Sequence, residues 1–353
     1  MSRQRAKDSA TSPENASPRG ARPSRGTVTL SDVAKLAGVS AMTVSRVLNR
    51  PETVAAETVE TVRKAIARTG YVPNLLAGGL ATTRTKLVAA IVPTISGSIF
   101  AACIQSLTDR LEIAGYQMLL GLSGYPAARE EGLINAILSR RPDALFLTGT
   151  SHSAQSRRRL RGAKIPIVET WDLSTRPIDM AVGFSHARVG RDTAQFLFDK
   201  GYRRFAVIGA EDERAKIRWR SYLATLTELG VTDVASITTP APTNLWMGRD
   251  GLGKLLGEGF TQGAIFCSSD ALAHGVLLEA QARGLSVPGD IAVVGFGDLD
   301  FAAFTVPALT TVRIDRFAVG RLAAELILAR LAGERVAEKT IDVGFQIIER
   351  EST

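Results

Sequence analysis

Two short segments with helical apolar spacing are separated by only three residues, and this break constrains the fold more than any other feature of the chain. The first runs from Thr29 and carries Val33, Ala34, Leu36 and Ala37; the second, Ala41 to Asn49, carries Val44, Val47 and Leu48. Gly38, Val39 and Ser40 lie between them. So short a turn cannot set two helices antiparallel, so they cross steeply as a helix-turn-helix. Thr29 with Asp32 reads as a variant capping box and Ser40 as a second N-cap. Small Ala34 and Ala37 permit close approach, and Val39 plugs the turn. The other face of the second helix presents Ala41, Met42, Thr43, Ser45 and Arg46, a short unobstructed surface that suits a major groove. A third helix is expected over Ala56 to Thr69, with Val59, Val62 and Ile66 inward and Gly70 as its stop.

Charge singles out the same region. Residues 1–86 hold 14 of the 43 Lys and Arg but only 6 of the 35 Asp and Glu, so the whole net charge of +8 sits in the first quarter. A basic head on a neutral body points to a polyanion, with nucleic acid ahead of an anionic membrane surface. Residues 1–26, rich in Ser, Pro and Arg, read as a disordered basic tail. They contain no apolar signal segment, and no run approaches the roughly 20 apolar residues of a membrane helix. A cytoplasmic protein without a membrane partner is expected. Cys103 and Cys267 stand far apart with no Cys/His cluster, so neither a disulfide framework nor a metal is expected.

The string Val28 to Asn49, VTLSDVAKLAGVSAMTVSRVLN, resembles the DNA-binding headpiece of the lactose-repressor (LacI-type) family almost residue for residue, and Gly70 to Asn74 resembles its GYxPN signature. The resemblance implies that Ala41 and Met42 read base edges and Arg46 a guanine. It places Thr29, Ser40, Thr43, Ser45, Asn49, Thr58, Tyr71 and Asn74 near phosphates. An exposed Arg can give two hydrogen bonds to guanine O6 and N7, and hydroxyls at helix N-termini bind phosphate. Ala55 departs from the family, whose members often place a capping Ser there, at a cost of about 1 kcal/mol. Residues 73–86 correspond to the family's hinge, where Ala77 would meet DNA and Leu80 would wedge into the minor groove. Gly78 and Gly79 each weaken a helix by about 1 kcal/mol, so an unfolded hinge is expected off DNA.

From Leu87 the pattern alternates. Strands are expected at Leu87–Pro93, Tyr116–Leu122, Ala144–Leu147, Ile167–Glu169, Ala181–Phe184, Phe205–Gly209, Ala264–Cys267 and Ile291–Gly295. Helices are expected at Phe100–Ala114, Ala128–Arg140, Val189–Lys200, Arg218–Leu229 and Ala271–Arg283. Such a cadence gives parallel sheets with right-handed crossovers. The fold class expected is therefore an all-α helix-turn-helix headpiece (27–72) plus an α/β two-lobed core (87–350). The core is similar to the family's periplasmic-binding-protein-like core, with FCSSD at Phe266–Asp270 and PALTTV at Pro307–Val312 as its clearest marks. That resemblance puts lobe 1 at about 87–184 and 312–334, and lobe 2 at about 185–311 and 335–350, with three crossings near Phe184, Thr311 and Arg335.

A ligand between the lobes meets strand C-termini. Candidates are Ser96, Phe100, Glu169, Trp171, Arg214, Lys216, Arg218, Thr243, Asp270, Asp298 and Asp300. Asp270 could equally cap a helix, and Asp298 stands one place beyond the family's usual carboxylate. The segments at Gly115–Tyr125, Asp179–His186 and Asp212–Arg214 look like those of the gluconate-operon repressors within the family. Arg214, Lys216 and Arg218 would suit a sugar-acid carboxylate, with Arg214 the expected partner. Gly248–Leu255, GRDGLGKL, fails as a phosphate loop because Leu255 stands where Ser or Thr must be. His152, His186 and His274 have no adjacent nucleophile, and no catalytic motif is present. Neither an enzyme nor a cofactor is expected. The reading is a homodimeric, effector-controlled repressor of sugar-acid utilisation genes on a near-palindromic operator. Its alternatives are a sugar receptor without DNA function, or a regulator that answers to a neutral sugar or purine.

Overall fold

Caps decide where the headpiece helices begin. Thr29 accepts from Asp32 N while the Asp32 carboxylate accepts from Thr29 N at 2.8 Å, the reciprocal capping box that starts α1 (Leu30–Ala37). Gly38 closes it at φ 67°, a left-handed conformation that favours glycine. Ser40 then accepts from Thr43 N at 3.1 Å and starts α2 (Ala41–Asn49). The third helix, α3 (Ala56–Thr69), has Ala55 at its N-cap with no side-chain hydrogen bond and Gly70 at its left-handed C-cap. Val33, Ala34, Val44, Val47, Val62 and Ala65 form the buried centre. Leu36 departs from the expected core: it is 43% exposed, because Val33 and Ala34 already fill the inner face of so short a helix.

The computed structural model describes residues 28–72, 84–96 and 98–353, and the chain divides between Thr83 and Arg84 into a headpiece unit and a core unit. The expected tail and residues 73–83 of the expected hinge, with Asn74, Ala77 and Leu80, lie outside the described residues.

The core holds two six-stranded sheets. Its strands are β1 (Leu87–Val92), β2 (Gln117–Leu122), β3 (Ala144–Thr148), β4 (Ile167–Thr170), β5 (Met180–Gly183), β6 (Phe205–Ala210), β7 (Val234–Thr239), β8 (Gly263–Cys267), β9 (Ile291–Phe296), β10 (Thr310–Arg313), β11 (Thr340–Asp342) and β12 (Gln346–Ile348). The first sheet runs β11-β5-β4-β3-β1-β2 and the second β12-β10-β9-β8-β6-β7. Every pairing is parallel except β10 with β12 at the edge of the second sheet. The helices are α4 (Ser98–Ile113), α5 (Ala127–Leu138), α6 (Ala154–Ala163), α7 (His186–Asp199), α8 (Glu213–Glu228), α9 (Leu245–Gly257), α10 (Asp270–Ala282) and α11 (Arg316–Leu331).

Sequence periodicity missed α6, β7, α9, α11 and the short strands β10 to β12. The lobe boundaries shift accordingly. Thr340 pairs with Ala181, so β11 belongs to the first sheet and the last crossing falls at 343–345, not at Arg335. Thr310 to Val312 pair with β9, so the second crossing falls at Ile314 and Asp315 rather than Thr311.

Glycines let the helix pairs approach. A Cβ on Gly320 of α11 would lie 2.1 Å from Cys103 O of α4, and one on Gly190 of α7 would lie 2.0 Å from Arg218 O of α8. The failed phosphate loop is part of this packing. Its Gly248 lies within α9, where a Cβ would meet Leu272 O of α10 at 2.1 Å.

Candidate functional site

In the headpiece, α2 turns Val44 and Val47 inward and leaves Ala41, Met42 and Arg46 exposed, with Met42 at 65%. Arg46 lies along the helix surface with Nη2 3.6 Å from Met42 Sδ, four residues back. Asn49 donates to Ser45 O at 2.9 Å, and Ser40 Oγ lies 2.9 Å from Thr43 Oγ1. Thr58 and Tyr71 are half-buried beside this face's supporting helices. Of the residues expected at DNA that fall within the described region, Thr29, Ser40, Ala41, Met42, Arg46 and Asn49 are exposed, Thr43, Ser45, Thr58 and Tyr71 are half-buried, and Tyr71 packs against the headpiece core. Hydrogen bonds from Thr29 hold Asp32 below the usual carboxylate range, which keeps the α1 cap ionised.

In the core, the segments after β1, β2, β4, β5, β6, β7, β8 and β9 converge between the sheets, all at strand C-termini. They enclose a cavity of about 130 Å³, which opens past Tyr125, Asp212 and Arg214 into an outer basin of about 650 Å³. Of the expected ligand residues, Ser96, Phe100, Trp171, Arg214, Arg218 and Thr243 line the cavity. Phe100 meets Trp171 edge-on at 5.2 Å between ring centres. Arg214 and Arg218 stand one helical turn apart on α8 and share a face, whereas Lys216 between them turns away and pairs with Glu213 at 3.6 Å.

Arg218 is the more deeply built cation. It is 5% exposed, stacks 3.7 Å over the Phe296 ring, and donates from Nη2 to Ser268 O and from Nη1 to His186 Nδ1, both at 2.9 Å. Burial brings it down to about 10, so it stays charged at neutral pH, and its Nε has no protein partner. Arg214 is half-buried, 5.6 Å over the Phe100 ring.

Five expected ligand residues sit elsewhere. Glu169 is fully buried, but its carboxylate accepts from Ile178 N and lies 3.5 Å from His152 Nε2 and 3.7 Å from Arg157 Nη1. Burial works against a charge on His152, yet Glu130 and Glu169 raise it to about 9. Lys216 is turned outward as described. Asp270 accepts from Thr311 Oγ1 at 2.5 Å and Leu299 N at 2.7 Å, which clamps β10 and the loop after β9 to α10; the helix cap is Ser269. Burial pushes Asp270 up to about 6. Asp298 is taken by Arg313 at 2.5 Å and Arg350 at 2.7 Å, and these hydrogen bonds overcome burial and hold it below the usual range. Asp300, also expected, pairs at the surface with Arg316 at 3.3 Å.

Sequence reasoning missed Tyr125, His186, Asp212 and Phe296 on the cavity wall. Asp212 carried a signal, since it caps α8 by accepting from Ala215 N at 3.2 Å. Phe296 and His186 carried none, because tertiary packing alone brings them to Arg218.

Among the described residues no helix is long and apolar enough to cross a membrane, and no group of three His, Cys, Asp or Glu side chains converges on a metal position. Residues 29–74 match the profile described as bacterial regulatory proteins, lacI family, and residues 194–353 match a periplasmic binding protein-like domain. The chain is 38% identical to the HTH-type transcriptional regulator GntR of Pseudomonas aeruginosa, over 93% of this chain and 96% of that protein. It is 31% identical to the regulator of the same name from Escherichia coli K12, over 90% and 96%. A solved LacI-family transcriptional regulator from Silicibacter pomeroyi superposes with a TM-score of 0.87 at 34% identity, covering 92% of this chain and 99% of that one. A helix-turn-helix unit ahead of a two-lobed binding core defines a ligand-controlled transcription factor. The chain belongs to the lacI family of bacterial regulatory proteins; it is a DNA-binding transcriptional regulator and not an enzyme.

Proposed function

We propose that this regulator is a cytoplasmic repressor of sugar-acid utilisation genes, that it binds a near-palindromic operator as a homodimer, and that a gluconate-like acid in the interlobe cavity controls its grip on DNA. The observation that carries the effector class is Arg218, a buried cation on the cavity wall, with Arg214 one turn away on the same helix. A carboxylate out of water needs such a partner, because an unpaired charge there costs several kcal/mol. Asp212, Thr243 and Tyr125 supply hydroxyl-binding groups, and Trp171 and Phe100 cover the apolar face of a sugar chain. This moves the expected carboxylate partner from Arg214 to Arg218, with Arg214 as the outer cation.

On the DNA side, Arg46 reads a guanine, Ala41 and Met42 meet base edges, and Thr29, Ser40, Thr43, Ser45, Asn49, Thr58 and Tyr71 position the unit on phosphates. Asn74, Ala77 and Leu80 complete that proposal from the sequence alone. The test is calorimetric titration of the full chain with gluconate, glucose and a purine, followed by operator release. The reading requires gluconate to bind most tightly and to change operator affinity. Tighter binding of glucose or the purine sinks it.

A further inference from the structure

His186 occupies the seam of the cavity. It follows the first interlobe crossing directly as the first residue of α7, and it is 2% exposed. Its Nε2 lies 2.7 Å from Trp171 O, on the loop after β4 in the first lobe. Its Nδ1 lies 2.9 Å from Arg218 Nη1, on α8 in the second lobe. Arginine has only donors, so Nδ1 must accept; Nε2 therefore carries the single ring proton and donates it to the Trp171 carbonyl. A second ring proton would point at a guanidinium. The ring also packs edge-on against Phe184 at 4.5 Å between centres.

Both partners need the support. Trp171 holds φ 67°, a left-handed conformation rare for a bulky residue, and its N–H bonds Val182 O at 3.1 Å. Arg218 has a planar fork whose orientation decides which N–H faces the cavity.

We infer that His186, as the neutral Nε2–H tautomer, is a positioning residue that locks Trp171 and Arg218 from opposite lobes into one preformed effector wall. The inference rests on the sugar-acid reading for its ligand, but not for its tautomer. The charged and titratable groups facing the ring's surroundings are Arg218 and Arg214; both disfavour a second proton, and burial acts the same way and more strongly.

The test uses the full chain and its three histidines, His152, His186 and His274, with ring ¹⁵N signals assigned by single His→Gln variants. The His186 signals are expected to show a protonated Nε2 and a bare Nδ1, unchanged from pH 5.5 to 8.5. An Nδ1–H tautomer, or titration near pH 6.5, overturns the inference whatever the ligand. His186→Phe removes both hydrogen bonds, whereas His186→Gln retains one acceptor and one donor. With gluconate as probe, the Phe variant is expected to lose at least about tenfold in affinity and the Gln variant to recover most of it, with operator binding retained in both. Gluconate affinity unchanged in the Phe variant overturns the inference. If the wild-type chain does not bind gluconate, the sugar-acid reading fails and the nitrogen spectra alone decide the positioning role.

Discussion

The headpiece and the effector cleft are both built from polar side chains on helix ends, but at opposite ranges of sequence. Thr29 meets Asp32, Ser40 meets Thr43 and Asn49 meets Ser45, all within three or four residues. In the core, Arg218 meets His186 32 residues away and Ser268 50 away, and Thr311 meets Asp270 across 41. A motif held by local contacts carries its geometry in one string. A site assembled from the segments after eight strands does not, because a side chain of the right type at a strand end can be claimed by a distant partner.

The largest effect that separates the two regions is expected from Arg218→Ala. Loss of a buried cation opposite a bound carboxylate costs about 3 kcal/mol or more, over a hundredfold in effector affinity. The headpiece lacks any share in that site, so binding of the unliganded protein to operator, followed by fluorescence anisotropy, is expected to be unchanged. Arg214→Ala is expected to cost less, since that side chain is half-buried. If Arg214→Ala is the more damaging of the two, the assignment of the inner cation is wrong.

This contrast also marks what was legible in the sequence. The three headpiece helices begin and end where caps and apolar spacing predict, and Ala65 is the one buried position not anticipated. In the core the alternating cadence located strands buried on both faces, such as Val88 to Val92 and Phe205 to Ala210. It missed α6, whose Arg-rich run has a single fully buried apolar residue, Leu160, and α11, whose Arg316, Arg321, Glu325 and Arg330 are spread around the helix and blur its apolar stripe. Position near strand C-termini and resemblance to the family pointed to Glu169, Asp270 and Asp298 as ligand groups. Each proved to be a buried or half-buried carboxylate tied to the scaffold by cations or backbone N–H groups, and nothing local in the sequence distinguishes those from cavity residues.

A second separation is by pH. His152 is raised from 6.5 to about 9 in the folded core, so its contribution is fully present below pH 6.5 and is lost as pH rises through 9. The shift corresponds to about 3 kcal/mol of core stability. Denaturant unfolding of the full chain at pH 6.5, 7.5 and 9 is expected to show a core transition that weakens with alkali, and His152→Gln is expected to flatten it. Asp32 works in the opposite direction: its lowered value makes headpiece stability fall only as pH drops below the ordinary carboxylate range near 3.8. A core transition independent of pH between 6.5 and 9 would show that Glu130 and Glu169 do not keep His152 charged.

Arg46→Ala acts on the headpiece alone. Removal of one two-pronged contact to guanine is expected to weaken operator binding by about 1 to 3 kcal/mol and to relax preference at one base pair. Effector affinity is expected to stay the same. An equal loss on operator and on random duplex would reassign Arg46 to a phosphate.

The smallest effect is the most local. Ala55 precedes α3 with φ −55° and ψ 137°, outside the helical region, and it leaves the first-turn N–H groups of that helix without a side-chain acceptor. Ser40, at the start of α2, shows what a serine supplies in the same role, with its Oγ accepting from Thr43 N at 3.1 Å. Ala55→Ser therefore adds a hydrogen bond without disturbing Val59, Val62 or Ala65 on the buried side. The expected gain is about 1 kcal/mol in the headpiece, seen as a higher melting point for its helical signal with the core transition unmoved. Because α3 packs against α2 through Val62 and that contact is untouched, the same substitution is expected to leave base preference intact. A shift of the core transition by the same amount would mean that the two units unfold together, and that the independence of local and long-range sites stops at function.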